Sequence, residues 1–284
     1  MQLLHSATRN YSWGSRSLIP HLQGQPDADK PVAELWFGAH PGDPSTVDGR
    51  LLNEVIAEDP AGQLGSRVSA EYGERLPFLL KVLAAEEPLS LQAHPSKAQA
   101  EEGFARENAA GIELTASNRN YKDDNHKPEL IVALTDFYAM AGFRPLARTR
   151  ELFAALECPE LDHYVAMLDD DPSATTESAN LRVLFTTWIT IPSAKRKELI
   201  SAIVAAGERL IAADPADWKS RVMSTVLDLN QRYPGDIGVL GALLLNHIEL
   251  SPGEAVYLDA GQLHAYVSGL GVEIMANSDN VLRG

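Results

Sequence analysis

Short apolar runs broken by Pro and Gly dominate the first half of the chain. Leu76–Leu83 (LPFLLKVL), Pro88–Pro95 (PLSLQAHP) and Pro128–Leu134 (PELIVAL) are bounded by turn-forming residues, which predicts strands. Between them, Ser96–Ala110 (SKAQAEEGFARENAA) is charged and Ala-rich and predicts a helix. From Leu146 to Arg232 the period changes. Ala, Leu, Glu and Arg recur at helical spacing, as in Ala194–Ala213, while Pro172, Pro192 and Pro215 mark breaks. After Tyr233 the strand texture returns. Asp236–Ile248 is apolar and predicts a helix, and Glu254–Leu258, Ala265–Ser268 and Val272–Met275 predict short strands. The expected fold class is mostly β with α. Residues 1–145 and 233–284 would build a β domain, and residues 146–232 an all-helical domain inserted into it or packed beside it.

Alternation along the predicted strands sorts side chains by face. In Pro88–Pro95, Ser90, Gln92 and His94 share one face, opposite Leu89, Leu91 and Ala93. In His126–Leu134, Lys127 and Glu129 share a face, with Ile131 following them, and in Gly253–Ser268 His264 and Tyr266 do. A β-barrel would bring these distant positions together. Gln92, His94, Glu129 and His264 then supply two imidazoles, one carboxylate and one amide oxygen. Such a set suits zinc, with room for water or substrate. Because Gln is neutral, the ligands carry only one formal negative charge, and the ion keeps more of its Lewis acidity.

Composition narrows the partners. The chain carries 39 acidic against 24 basic residues, a formal charge of −15. That surface disfavours nucleic acid and anionic membrane, and an anionic substrate would need a local basic pocket. Cys158 is the single cysteine, so no intrachain disulfide and no Cys-rich zinc site is expected. Met1–Tyr11 has no long apolar run and reads as mature protein, and no stretch approaches the roughly 20 apolar residues of a membrane span. A cytoplasmic monomer is expected.

Gly253, Asp259, Gly261 and His264 have the spacing of the second cupin motif, with Asp259 where that motif usually has Pro. Seven stretches in order resemble type I mannose-6-phosphate isomerases. These are Tyr11–Ser15 (YSWGS), Ala33–Pro41 (AELWFGAHP), LPFLLKVL, PLSLQAHP, Asn125–Glu129 (NHKPE), Ala260–Tyr266 (AGQLHAY) and Glu273–Gly284 (EIMANSDNVLRG). The resemblance implies a cupin-type β-barrel, or jelly roll, with a helical domain. It implies one zinc ion per chain on Gln92, His94, Glu129 and His264, and a catalytic Arg283. It further implies that Lys127, Lys81, Ser90, Tyr266, Glu273 and Asp279 line a sugar-phosphate pocket where mannose 6-phosphate and fructose 6-phosphate interconvert. Arg283 is next to last, and the resemblance implies relatives that continue past the position of Gly284.

That reaction moves a proton between C1 and C2 of the open-chain sugar through an enediol or enediolate. Arg283 is expected to meet the developing oxygen charge. Glu273 and Lys127 are both candidates for proton transfer, and Ser90 and Lys81 for phosphate binding. Trp13 and Trp36 are expected to pack. His5, His21, His40, His126, His163 and His247 are expected in structural or surface roles. Two rivals compete with the isomerase: a catalytically inactive cupin that binds sugar phosphate as a regulator, and an iron oxygenase on the same barrel.

Overall fold

A computed structural model describes residues 2–168 and 174–283, so the expected break at Pro172 lies outside the described residues. The chain divides into two compact units. One comprises the residues up to Ala139 together with Ile248–Arg283, and the other is Met140–His247.

In the first unit, six strands pair antiparallel in the order Ala7–Arg9, Glu34–Phe37, Phe78–Ala85, His264–Ala276, Glu129–Ala133 and Ala255–Leu258. Their sequences alternate. Leu79, Lys81 and Leu83 of one strand and Glu129, Ile131 and Ala133 of another are buried, while Leu80, Val82, Leu130 and Val132 are only partly so. Register then fixes neighbours across the sheet. Trp36 pairs with Lys81, Lys81 with Glu273, and Glu273 with Ile131. The adjacent row runs from Leu79 to Met275 to Glu129. Opposed residues share a face, so polar side chains from three distant segments converge. Trp36, Leu79 and Met275 pack together, and Ile19, Leu35, Ala84 and Leu270 form a second apolar cluster.

Several elements depart from the sequence reading. The expected Pro88–Pro95 strand contracts to Gln92–Ala93, which pairs with His264 on one side and with Leu282–Arg283 on the other. Upstream of it, the Leu89 N–H still reaches the Tyr266 carbonyl at 2.9 Å. The two expected strands at Ala265–Ser268 and Val272–Met275 are one strand, His264–Ala276. It continues through Gly269, whose φ of 126° only glycine adopts readily. A Cβ there would lie 2.7 Å from the Asp136 carbonyl oxygen and 2.9 Å from Phe137 Cα. Helices Leu18–Leu22, Leu52–Glu58 and Pro60–Tyr72 were not expected. In the last, Pro60 starts the helix under the Asp59 side-chain cap, and Gly65 interrupts it with non-helical backbone. Pro and Gly there had read as turn punctuation. The helix expected at Ser96–Ala110 is Lys97–Ala109, with Ser96 and Gln99 closing a capping box.

The second unit holds the described helices Leu146–Leu156, Pro159–Val165, Ala174–Thr190, Ser193–Ala213, Trp218–Arg232 and Ile237–Ala242. Leu199, Ile203 and Ala206 on one helix, and Val222, Val226 and Leu229 on another, are buried at the spacing that makes an apolar stripe. Asp236–Ile248 is not one helix. It holds the helix Ile237–Ala242, capped by Asp236, and then enters the strand Leu245–Leu250. The buried Arg144 guanidinium donates to the Leu243 and Leu245 carbonyls at 2.9 and 2.6 Å, just past the helix end. Among the described residues no helix is long and apolar enough to cross a membrane.

Gly269→Ala is expected to destabilise the protein by roughly 2 kcal/mol, through backbone strain and the clash together. Gly253 also has positive φ, at 91°, but open space around it. Urea unfolding is expected to show a smaller loss for Gly253→Ala, and equal losses would show that the Asp136–Phe137 contact contributes nothing.

A candidate metal centre

His94, Glu129 and His264 come together from three elements, and one ligand atom from each lies within 4.8 Å of the others. His94 follows the short Gln92–Ala93 strand, Glu129 opens the Glu129–Ala133 strand, and His264 opens the long strand. All three are about 98–99% buried. The two imidazole rings stand 5.2 Å apart. His94 Nε2 is 3.2 Å from Glu129 Oε1, and His264 Nε2 is 3.2 Å from Glu129 Oε2.

These contacts are not ordinary ion pairs. His94 Nδ1 lies 2.8 Å from the Asn280 carbonyl oxygen, and His264 Nδ1 2.9 Å from that of Gln262. A carbonyl only accepts, so each Nδ1 carries a proton, and each ring turns its Nε2 toward the carboxylate. His94 Nε2, His264 Nε2 and Glu129 Oε2 have no hydrogen-bond partner although they are buried. Burial also holds His94 below its ordinary imidazole pKa, against the pull of Glu129. Burial would raise Glu129, but the neighbouring Lys127 ammonium pulls the other way, and the carboxyl lies well below its usual range. Three acceptors facing one another in a dry space are costly unless a cation lies among them. The donor set of two nitrogens and a carboxylate fits zinc.

The remaining expected site residues fall around this core. Gln92 is half-buried and opposite His264 in register, which puts its side chain on the same face. On its other side, Gln92 pairs with Arg283, whose side chain lies outside the described residues. Lys127 is buried, with Nζ 3.2 Å from Glu129 Oε1. Glu273 is 2% exposed and accepts from the Tyr266 hydroxyl at 2.7 Å. Lys81 Nζ is 3.6 Å from Glu273 and donates to Glu34 at 3.3 Å. Burial lowers the Lys81 pKa, but Glu34 and Glu273 together raise it above the ordinary value. Burial and the nearby Glu129 push Glu273 up to about 7 against the pull of Lys81. Tyr266 is pushed well above its ordinary value, first by burial and then by Glu273. Ser90 is exposed, in the loop before the short strand, and Asp279 is exposed in the loop before Arg283.

Sequence reasoning missed three participants. Glu34 links Lys81 to Trp36, whose indole N–H donates to it at 2.7 Å. His40, expected to be structural or surface, is buried and places Nε2 3.3 Å from Asp279 Oδ1. Its Nδ1 accepts from the Gly42 N–H at 3.1 Å, so Nε2 carries the proton that Asp279 receives. This bond holds the Asp279 carboxyl below its usual range. Asn280, the third, is fully buried. The stretches AELWFGAHP and EIMANSDNVLRG contained all three, but nothing in their spacing distinguished them from packing residues.

Residues 1–146 match the family model of the phosphomannose isomerase type I catalytic domain. The mannose-6-phosphate isomerase of Escherichia coli (strain K12) is 40% identical, over all of this chain and 70% of its own length. Mannose-6-phosphate isomerase 1 of Arabidopsis thaliana is 34% identical, over all of this chain and 67% of its own. The crystal structure of the Salmonella typhimurium enzyme bound to fructose 6-phosphate and zinc superposes with a TM-score of 0.86 at 38% identity, over all of this chain and 70% of that one. By this similarity in both sequence and fold, the chain belongs to the type I mannose-6-phosphate isomerase family.

Proposed function

We propose that this chain is a zinc-dependent aldose–ketose isomerase that interconverts mannose 6-phosphate and fructose 6-phosphate. The observation that carries the reading is the set of buried, unpartnered acceptors on His94, Glu129 and His264. Gln92 completes the ligand set from its register position beside His264. We assign the first unit to a cupin-type barrel and the helices of the second to an all-helical domain. The long His264–Ala276 strand, which pairs with three others of the first unit, supports that barrel. The chain is assigned as a cytoplasmic monomer, and its strong net negative charge supports the absence of nucleic-acid or anionic-membrane partners.

A bound zinc ion would supply positive charge for the oxygen that turns negative as the proton leaves carbon. The chain's own residues do the rest. Glu273 takes the proton from one carbon and returns it to the next, because it is buried, poised near neutrality and oriented by Tyr266. Lys81 pairs with Glu273 and sets its charge from the pocket wall. Lys127 neutralises Glu129 and presents an ammonium to the sugar oxygens. Arg283 adds a second cation for the enediolate. Ser90 and Asp279 meet the substrate from exposed loops, Ser90 toward the phosphate and Asp279 toward hydroxyls.

The direct test is a coupled assay for fructose 6-phosphate from mannose 6-phosphate, with chelator and then with zinc restored. Activity that falls and returns is expected, and a chelator-insensitive rate would remove the metal from the mechanism. Gln92→Ala, His94→Ala, Glu129→Ala and His264→Ala should each lower zinc content and turnover together. Unchanged zinc by elemental analysis would exclude that residue as a ligand. Arg283→Ala is expected to keep zinc and lose about a hundredfold or more in kcat, and a wild-type rate would take Arg283 out of the reaction. A base must be ionised, so kcat should fall as pH drops. The zinc charge opposes burial, which places the apparent pKa between the ordinary 4.5 and about 7. Glu273→Gln should abolish that acid limb, and its persistence would assign proton transfer elsewhere.

A further inference from the structure

Two loops meet at His94, and one asparagine ties them. Asn280 has no exposed surface. Its side-chain amide donates to the main-chain oxygens of Asp123 at 2.8 Å and Asn125 at 2.9 Å. The amide oxygen accepts from the N–H groups of Lys122 at 2.8 Å and Asp123 at 3.3 Å. The same residue's main-chain carbonyl takes the His94 Nδ1–H at 2.8 Å. One residue thus grips the 122–125 backbone with its side chain and an imidazole of the metal centre with its main chain.

Asp123 answers from the other loop. Its Oδ1 accepts from the Ser278 hydroxyl at 2.8 Å and the Asn125 N–H at 2.9 Å, and its Oδ2 from the Asp279 N–H at 2.8 Å. The first loop runs directly into Lys127 and Glu129. The second presents Asp279 to His40 and leads to Leu282–Arg283 beside Gln92. Every donor and acceptor of the Asn280 amide is engaged, so the loops have one mutual position. Displacing them by about an ångström breaks the hydrogen bond that orients His94, and partners of this kind set ligand geometry and basicity.

We propose that Asn280, together with Asp123, is a positioning residue that fixes the tautomer and aim of His94 toward the metal and the placement of Asp279 beside the substrate. The proposal rests on the zinc reading above. Asn280→Asp keeps the shape but turns a carboxylate oxygen on the Asp123 and Asn125 carbonyls, which repels the loop. Zinc affinity measured by chelator competition is expected to fall about tenfold or more. The absorption of the cobalt-loaded protein should shift as the His94 ligand geometry changes. kcat for mannose 6-phosphate should fall, and KM should rise as Asp279 moves. Asn246→Ala is the control. It removes a comparable bridge, to the Ala141, Gly142 and Phe143 carbonyls in the other unit, and should lower Tm while leaving zinc affinity and the cobalt spectrum unchanged. Should Asn280→Asp not fold, Asp123→Asn, which retains an acceptor oxygen, is expected to move zinc affinity in the same direction by a smaller factor. Unchanged affinity and spectrum in the folded variant, or an equal loss in Asn246→Ala, overturns the proposal while wild-type zinc binding keeps the isomerase reading. Wild-type protein that takes up no zinc overturns both.

Discussion

Three lone pairs directed at one another, where water does not reach, set the terms for the catalytic unit. His94 Nε2, His264 Nε2 and a Glu129 oxygen are buried without partners, while the opposite nitrogens of both rings are held by main-chain carbonyls. Such an arrangement costs folding energy unless a cation relieves it. Much of the surrounding structure maintains it. Strand register sets Gln92 beside His264, the sheet presents Glu129 inward, and the loops at 122–125 and 278–280 keep His94 from turning away.

A second buried network lies one step along the same sheet face. Trp36, Glu34, Lys81, Glu273 and Tyr266 form a continuous chain of polar contacts. Counting Glu129 and Lys127, three carboxylates face two ammonium groups, leaving one formal negative charge in excess. A divalent ion would reverse that sign and make the pocket attractive to a sugar phosphate, although the whole protein is strongly acidic. The raised pKa of Glu273 belongs to the same balance, since low dielectric and neighbouring carboxylates both oppose its ionisation.

Much of this was legible in the sequence because alternation is a local signal. The faces of Pro128–Leu134 followed from a period of two, and the structure keeps the alternation there, while the strand around Gln92 shrinks to two residues. The helices from Leu146 to Arg232 were legible for the same reason, at the helical period. What escaped was non-local or ambiguous. Pro60, Gly62 and Gly65 carry turn chemistry yet sit in a helix capped by Asp59. Asp236–Ile248 is largely apolar, and the carbonyls past its helix are met by Arg144, about a hundred residues away. Glu34, His40 and Asn280 act through partners that no spacing connects to them.

The strand that carries Gln92 is a two-residue seam held between His264 and Arg283. So short a pairing contributes few hydrogen bonds, while the neighbouring Phe78–Ala85 and His264–Ala276 ladder pairs eight residues in register. Local stability therefore differs sharply across a few ångströms. A brief parting of this seam would free the Gln92 main chain with the rest of the sheet intact. Amide exchange at Gln92 and Ala93 would then be governed by local opening, far faster than the lifetime of the folded protein.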